Sequence, residues 1–215
     1  MAAGPVAVHV TTREGATLVN ELQPYGTDDF SAVGLRGAFR WDTRDNTVAA
    51  HRGVLLDLGG SWYADWLDAV EEFGEVHGGV STYLTPHPSV TLAARVGGKH
   101  AWGEYPLHEA AFLGSRGTMR GLDPNRYAGD AAAWVNTDLR VKTGTVPFLV
   151  DWDFGVLGIA DGGRVWLEGE NSGRWHTGFG GGVWMLLPDR SMAATFSAVR
   201  SEGRLGVAMN LKFDF

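Results

Sequence analysis

Leu205-Gly206-Val207-Ala208-Met209-Asn210-Leu211-Lys212-Phe213-Asp214-Phe215, the last eleven residues of the chain, sort into two faces. Every odd position is a large apolar residue and every even position is small or polar. Successive strand side chains point to opposite sides, so alternation of this length specifies a strand between an apolar medium and a polar or tightly packed interior. The pattern predicts a strand over 204–215 that runs to the terminal aromatic, with its greasy face outward as in membrane barrels.

The same alternation recurs upstream. Val33, Leu35, Phe39 and Trp41 stand opposite Gly34, Arg36, Ala38 and Arg40, and Val54, Leu56, Leu58 and Trp62 stand opposite Asp57, Gly59, Ser61 and Tyr63. Val76, Val80 and Leu84 oppose His77, Ser81 and Tyr83, while Val90, Leu92, Ala94 and Val96 oppose Thr91, Arg95 and Lys99. Further strands are expected at 131–143, 154–166, 175–187 and 191–201, with a short opening one in which Val6, Val8 and Val10 form the apolar face. Polar junctions such as Thr43-Arg44-Asp45-Asn46, Pro86-His87-Pro88, Pro188-Asp189-Arg190 and Ser201-Glu202-Gly203 suit antiparallel hairpins rather than crossover helices. The reading is therefore all-β: an antiparallel transmembrane β-barrel of about ten meandering strands, forming one unit over 1–215. One short helix is expected around Trp66 to Phe73. The rhythm stops between Gly103 and Gly129, and a loop that long in a compact domain is usually functional.

Composition narrows the function. Hydrophobic residues make up 44% and charged residues 20% of the chain, so it folds. A net charge of −7 offers no clustered surplus of Lys and Arg for phosphates, which sets nucleic acid aside as a partner. No apolar run approaches the roughly 18 residues of a membrane helix, so only strands could cross a bilayer. With no cysteine there are no disulfides or thiolate metal sites, and the seven histidines show no metal-ligand spacing. Met1 to Val10 lacks the basic start and apolar core of a signal peptide, so export implies a mature form or a piece of a longer chain.

The long loop carries the most specific motif. Gly114-Ser115-Arg116-Gly117-Thr118-Met119-Arg120-Gly121-Leu122, then Tyr127-Ala128-Gly129-Asp130 and Asn136-Thr137-Asp138-Leu139-Arg140, resembles the C-terminal barrel of the BamA/TamA-type outer-membrane insertase superfamily (bacterial surface antigens). Asp42-Thr43-Arg44-Asp45-Asn46 with Arg52-Gly53-Val54 is similar to that family's Asp-x-Arg-Asp turn and Arg-Gly strand start. Ile159-Ala160-Asp161-Gly162-Gly163 is similar to its Phe-x-Asp-x-Gly strand. The chain departs at Met119, Leu122, Ile159 and Asp138, where the family favours a β-branched residue, an aromatic, Phe and Glu. The resemblance implies that loop 103–130 folds into the lumen with Arg120-Gly121-Leu122 at its tip. It also implies that the chain is the last ten strands of a sixteen-stranded barrel, without its first six strands and POTRA repeats, or a reduced member that self-associates.

The chemistry of the tip can be argued from alternation. Asp138 and Arg140 fall on the face opposite Val135, Leu139 and Val141, and Asp161 is in phase with Leu157 and Ile159, so both carboxylates point inward. An arginine between them forms a charge-assisted, partly desolvated latch: Arg120 against Asp138 and Asp161. In the terminal strand, Gly206, Met209, Leu211, Phe213 and Phe215 resemble the glycine-then-hydrophobic signal of the family's assembly substrates.

Other constellations are weaker. His77 and Ser81 lie roughly 13 Å apart along one strand, too far for proton transfer. Glu104, His108, Glu109, Glu168, Glu170 and Asn171 read as solvated loop groups, and most of the tryptophans at 62, 66, 102, 166, 175 and 184 as an interface girdle. No enzyme, cofactor or metal is expected. The expected role is assisting assembly or translocation of proteins at the outer membrane of a Gram-negative-type bacterium, with lipids and client outer-membrane proteins as partners. Two alternatives are an anchor or conduit for a fused phospholipase-like domain, and a soluble β-sandwich binding module.

Overall fold

The computed structural model describes residues 1–10, 30–65, 71–115, 117–170 and 173–215. The chain folds as a meander. β1 (Ala2–Val10), β2 (Phe30–Asp42), β3 (Gly53–Ala64), β4 (Phe73–His87) and β5 (Val90–Gly103) are followed by the long loop. Then come β8 (Ala131–Phe148), β9 (Val150–Trp166), β10 (His176–Leu186), β11 (Ala193–Ser201) and β12 (Arg204–Asn210). These ten form one antiparallel sheet in sequence order, and the loop contributes a separate short hairpin, β6 (Ala111–Leu113) with β7 (Tyr127–Gly129), and one 3-10 turn at Leu107–Glu109. Of the expected helix, residues 66–70 lie outside the described ones, while 71 and 72 form no regular element and Phe73 opens β4.

The two faces are inverted relative to a water-soluble sheet. Ser61, Glu75, Ser81, Thr91, Asn136, Asp138, Asp161, Thr195 and Ser197 are buried on the inner face. Leu35, Leu58, Val80, Leu92, Val96, Leu139, Val156, Phe179, Val183, Phe196 and Val207 stand exposed on the outer one. An apolar wall of that extent has no stable home in water and fits hydrocarbon. No helix among the described residues is long and apolar enough to cross a membrane. At one end of the sheet the connections are 43–52, 88–89, 149 and 187–192. At the other end lie 104–130 and 202–203. We call these the turn end and the loop end. Trp62, Trp102, Trp166 and Trp175 are exposed at the loop end, and Trp41 at the turn end.

Three expectations are corrected. First, β12 stops at Asn210, and the chain bends at Leu211 and Lys212 instead of running on to Phe215. Second, Val6 and Val8 of β1 face inward, toward Ala32, Tyr63 and Phe73. Their register sets this: Val6 pairs with Gly34 and Val8 with Ala32, both on the inner face of β2, which leaves His9 outside to bond Ser31. Third, Trp184 is interior, donating its indole N–H to the Val156 carbonyl at 3.0 Å. Among the described residues β1 and β12 do not pair with each other, so the sheet is open.

Candidate functional site

Three chain segments converge on the inner face: the loop tip, the connection 43–52, and the final residues. The loop is shaped locally before it meets the sheet. Ser115 and Met119 exchange backbone hydrogen bonds, and Gly114 N donates to Thr118 Oγ1 at 3.0 Å, which closes a tight turn just before Arg120. Met119 and Leu122 bracket Arg120 and are buried with Leu113, Ala132, Trp134 and Val165, an apolar cluster between the loop, β8 and β9. Asn136 Nδ2 donates to the Thr118 carbonyl at 2.9 Å, a second tie between loop and β8.

Arg120 is fully enclosed and almost fully used. Its Nε and Nη2 donate to Asp161 Oδ2 and Oδ1 at 2.9 and 2.6 Å, a bidentate fork, and its backbone N–H also donates to Asp161 Oδ2 at 3.0 Å. Nη1 donates to Asp138 Oδ1 at 2.7 Å and Nη2 to the Thr137 carbonyl at 3.3 Å. The planar guanidinium matches the carboxylate fork, which a lysine could not reproduce. Gly121 follows at φ +85, and a Cβ there would lie 2.8 Å from the Val199 carbonyl oxygen, so this position requires glycine. Leu122 is buried against the loop's own cluster and makes no polar contact with the carboxylates.

Asp214 was invisible as a site residue in the sequence. It reaches Arg120 Nη1 at 3.3 Å and accepts from Asn210 Nδ2 at 2.9 Å. The bend after Asn210 also carries Phe213 and Phe215 inside. Phe213 is 4% exposed, packs edge-on to Trp184 and lies 3.9 Å beneath the Arg140 guanidinium. Arg140 Nη2 donates to the Phe215 main-chain oxygen at 2.9 Å and pairs with Asp138 Oδ2 at 3.3 Å. Of the expected terminal signal, Gly206 faces the loop tip. Met209 and Leu211 project outward, and the two phenylalanines lie in the interior. The interior cations draw the tail in, because aromatic rings and a carboxylate compensate buried guanidinium groups.

The connection 43–52 closes the turn end. Asp42 holds Arg44 bidentately at 2.8 and 2.7 Å, and Asp45 Oδ1 accepts the His51 and Arg52 N–H groups at 2.9 and 3.2 Å. Asp45 Oδ2 accepts from Arg190 Nη1 at 2.6 Å, tying this connection to the turn between β10 and β11. Burial alone would raise the Asp45 carboxyl. The bonds from Arg190 and from the two backbone N–H groups outweigh it and lower the carboxyl to about 2. Burial, aided by Arg190, pushes the neighbouring His51 below the usual histidine range. Ala49 and Ala50 of this connection pack against the clusters that contain Phe213 and Phe215.

At the loop end, Tyr127 and His176 both bond Glu202 in the β11–β12 turn, and Arg204 of β12 pairs with Asp123 of the loop. The Tyr127 hydroxyl is the main cause holding the Glu202 carboxyl below its ordinary range, against a smaller opposing effect of burial. A recess of about 750 Å³ remains between the loop tip and β12, lined by Arg120, Gly121, Asp123, Val199, Gly206 and Asp214. Among the described residues no three His, Asp or Glu side chains form a group that could hold a metal ion. Glu109 instead faces Lys99 at 3.5 Å.

The Omp85 superfamily domain matches residues 5–196. The crystal structure of BamA from Haemophilus ducreyi lacking POTRA domains 1-3 superimposes with a TM-score of 0.65 at 13% identity, covering 85% of this chain. The chain spans 42% of that protein's length. No curated protein matches it in sequence. The inverted ten-stranded meander, its inward-folded Arg-Gly loop and the domain match lead to one conclusion: this chain belongs to the Omp85 superfamily and carries the BamA-type outer-membrane barrel fold.

Proposed function

We propose that this chain is the membrane-embedded part of an outer-membrane machine that assists the assembly or translocation of other proteins, without catalytic chemistry of its own. Loop 103–130 is its interior plug and Arg120 the latch. The observation that carries the reading is the clamp of Arg120 by Asp138 and Asp161 directly beneath the terminal strand. Removing a buried guanidinium from between two carboxylates leaves uncompensated charge, so such a clamp holds the loop in one position. β12 has seven residues, fewer than the roughly 9–11 of a full spanning strand, and among the described residues its one strand neighbour is β11. A short terminal strand is a weak seam at which a client strand can be handed to the membrane. Short connections mark the periplasmic side in such barrels, and on that pattern the turn end, with connections 88–89, 149 and 187–192, faces the periplasm.

The experiment is Arg120→Ala in the chain's native context. The expected result is lower folding yield on heat-modifiability gels, faster cleavage of the loop by added protease, and loss of complementation. Unchanged loop protection together with full complementation would overturn the latch role.

A further inference from the structure

The β8–β9 hairpin outruns its neighbours at the turn end. β5 pairs with β8 only as far as Val141, and β10 pairs with β9 only as far as Asp153, yet β8 and β9 stay paired up to Phe148 and Val150. Three pairs, Val146 with Trp152, Pro147 with Asp151 and Phe148 with Val150, therefore project beyond β10 by roughly 10 Å, around a tip residue, Leu149, at φ +59.

A register break decides which side of this ribbon looks out. Val141 is on the outer face of β8, and unbroken alternation would next turn Thr143, Thr145 and Pro147 outward. The break between Lys142 and Gly144 reverses the phase. Gly144 now lies under the Phe154 ring, and Val146 stands beside Trp152 on the outer side. Thr145 turns inward to bond Asp153 at 2.7 Å, and Lys142 pairs with the same carboxylate at 2.5 Å. The apolar wall is thereby continued onto a ribbon that has already left the sheet. Leu149 is 96% exposed, and Val146, Leu149, Val150, Trp152, Phe154 and Met185 line a recess of about 580 Å³.

A two-stranded ribbon is marginal in water, and an exposed apolar tip adds to the cost. Something apolar must cover it. The recess is continuous with the lipid-facing wall through Phe154 and Met185, and its lining includes no charged residue. A protein partner would be expected to find a polar rim. We propose that the β8–β9 ribbon lies in the leaflet at the turn end and holds a lipid acyl chain in the recess formed by Val146, Leu149, Val150, Trp152, Phe154 and Met185. This requires only that the sheet spans a membrane and is independent of any role in protein insertion.

The absence of cysteine makes the test direct. Leu149→Cys, at a side chain that is almost fully exposed, is labelled with an environment-sensitive fluorophore and reconstituted in phosphatidylethanolamine/phosphatidylglycerol vesicles. Leu92→Cys on the outer wall is the lipid reference. The expected result is blue-shifted emission, loss of intensity with doxyl-labelled lipid comparable to the Leu92 label, and resistance to aqueous iodide. Val146→Asp with Val150→Asp should move the Leu149 label into iodide reach while heat-modifiable migration is retained. Iodide quenching without doxyl quenching in the unaltered ribbon overturns the proposal, as does shielding that arises only when a soluble protein is added.

Discussion

Gly206 of the terminal strand and Gly121 of the loop tip meet backbone to backbone: a Cβ on Gly206 would lie 2.8 Å from the Gly121 Cα. Neither contact surface has a side chain to move aside. Gly206→Ala should therefore push the tip off β12, costing about 1–3 kcal/mol of stability. Gly121→Ala should cost more, because it adds a left-handed backbone to a clash with the Val199 carbonyl. Denaturant unfolding in detergent, with protease cleavage of the loop as a second readout, gives the order Gly121→Ala worse than Gly206→Ala. Equal stability of the two would contradict the contact.

The ion cluster around Arg120 makes a non-additivity prediction. Arg120→Ala leaves Asp138 and Asp161 buried together and should cost about 3–5 kcal/mol. Arg120→Met with Asp161→Asn removes one charge of each sign and should cost less than the sum of the two single changes. Arg120→Lys should behave closer to alanine than to arginine, since one ammonium cannot span the Asp161 fork and Asp138 at once. A double-mutant cycle by urea titration measures all three.

The end of the chain separates two readings of one pattern. If Phe213 belonged to the outer face of β12, replacing it would resemble replacing Leu211, which is 71% exposed. Enclosed by Leu157, Trp184, Val199 and Arg140, Phe213→Ala should instead cost about 3–5 kcal/mol, and Leu211→Ala far less. Truncation before Phe213 should also lower protection of the Arg120 loop, because Asp214 leaves with it. Thermal unfolding in detergent compares the three variants.

Alternation made the ten strands and the inward direction of Asp138 and Asp161 legible, because both follow from period-two geometry within one strand. The Arg-Gly tip was legible as a motif, and its two carboxylate partners as inward positions on neighbouring strands. What alternation left open depended on partners distant in sequence. Phe213 and Phe215 keep the odd phase of Leu205 to Leu211, and nothing local distinguishes them. What turns them inward is Arg140 and Arg120, more than seventy residues upstream. Val6 and Val8 face inward through their register against β2, which an isolated strand does not encode. Trp184 read as a girdle residue because a strand-end tryptophan has the same sequence signature whether it faces lipid or the interior.

The turn end supplies a pH prediction. Asp45 holds His51, Arg52 and Arg190 in place, and its carboxyl is lowered to about 2 in the fold. A carboxylate whose folded value lies below its unfolded one, near 3.9, contributes stability that is fully present above about pH 4–5. That contribution fades as pH falls through 4 towards 2, where the group protonates in both states. Asp45→Asn should consequently be less stable than the parent at pH 7 and converge on it near pH 2. The partly exposed pair with Arg190 is screened by salt, so the gap at pH 7 should also narrow as ionic strength rises. Amide exchange of His51 and Arg52 across pH 2–7 follows the same connection directly, and a gap between the two proteins that stayed constant down to pH 2 would count against this role for Asp45.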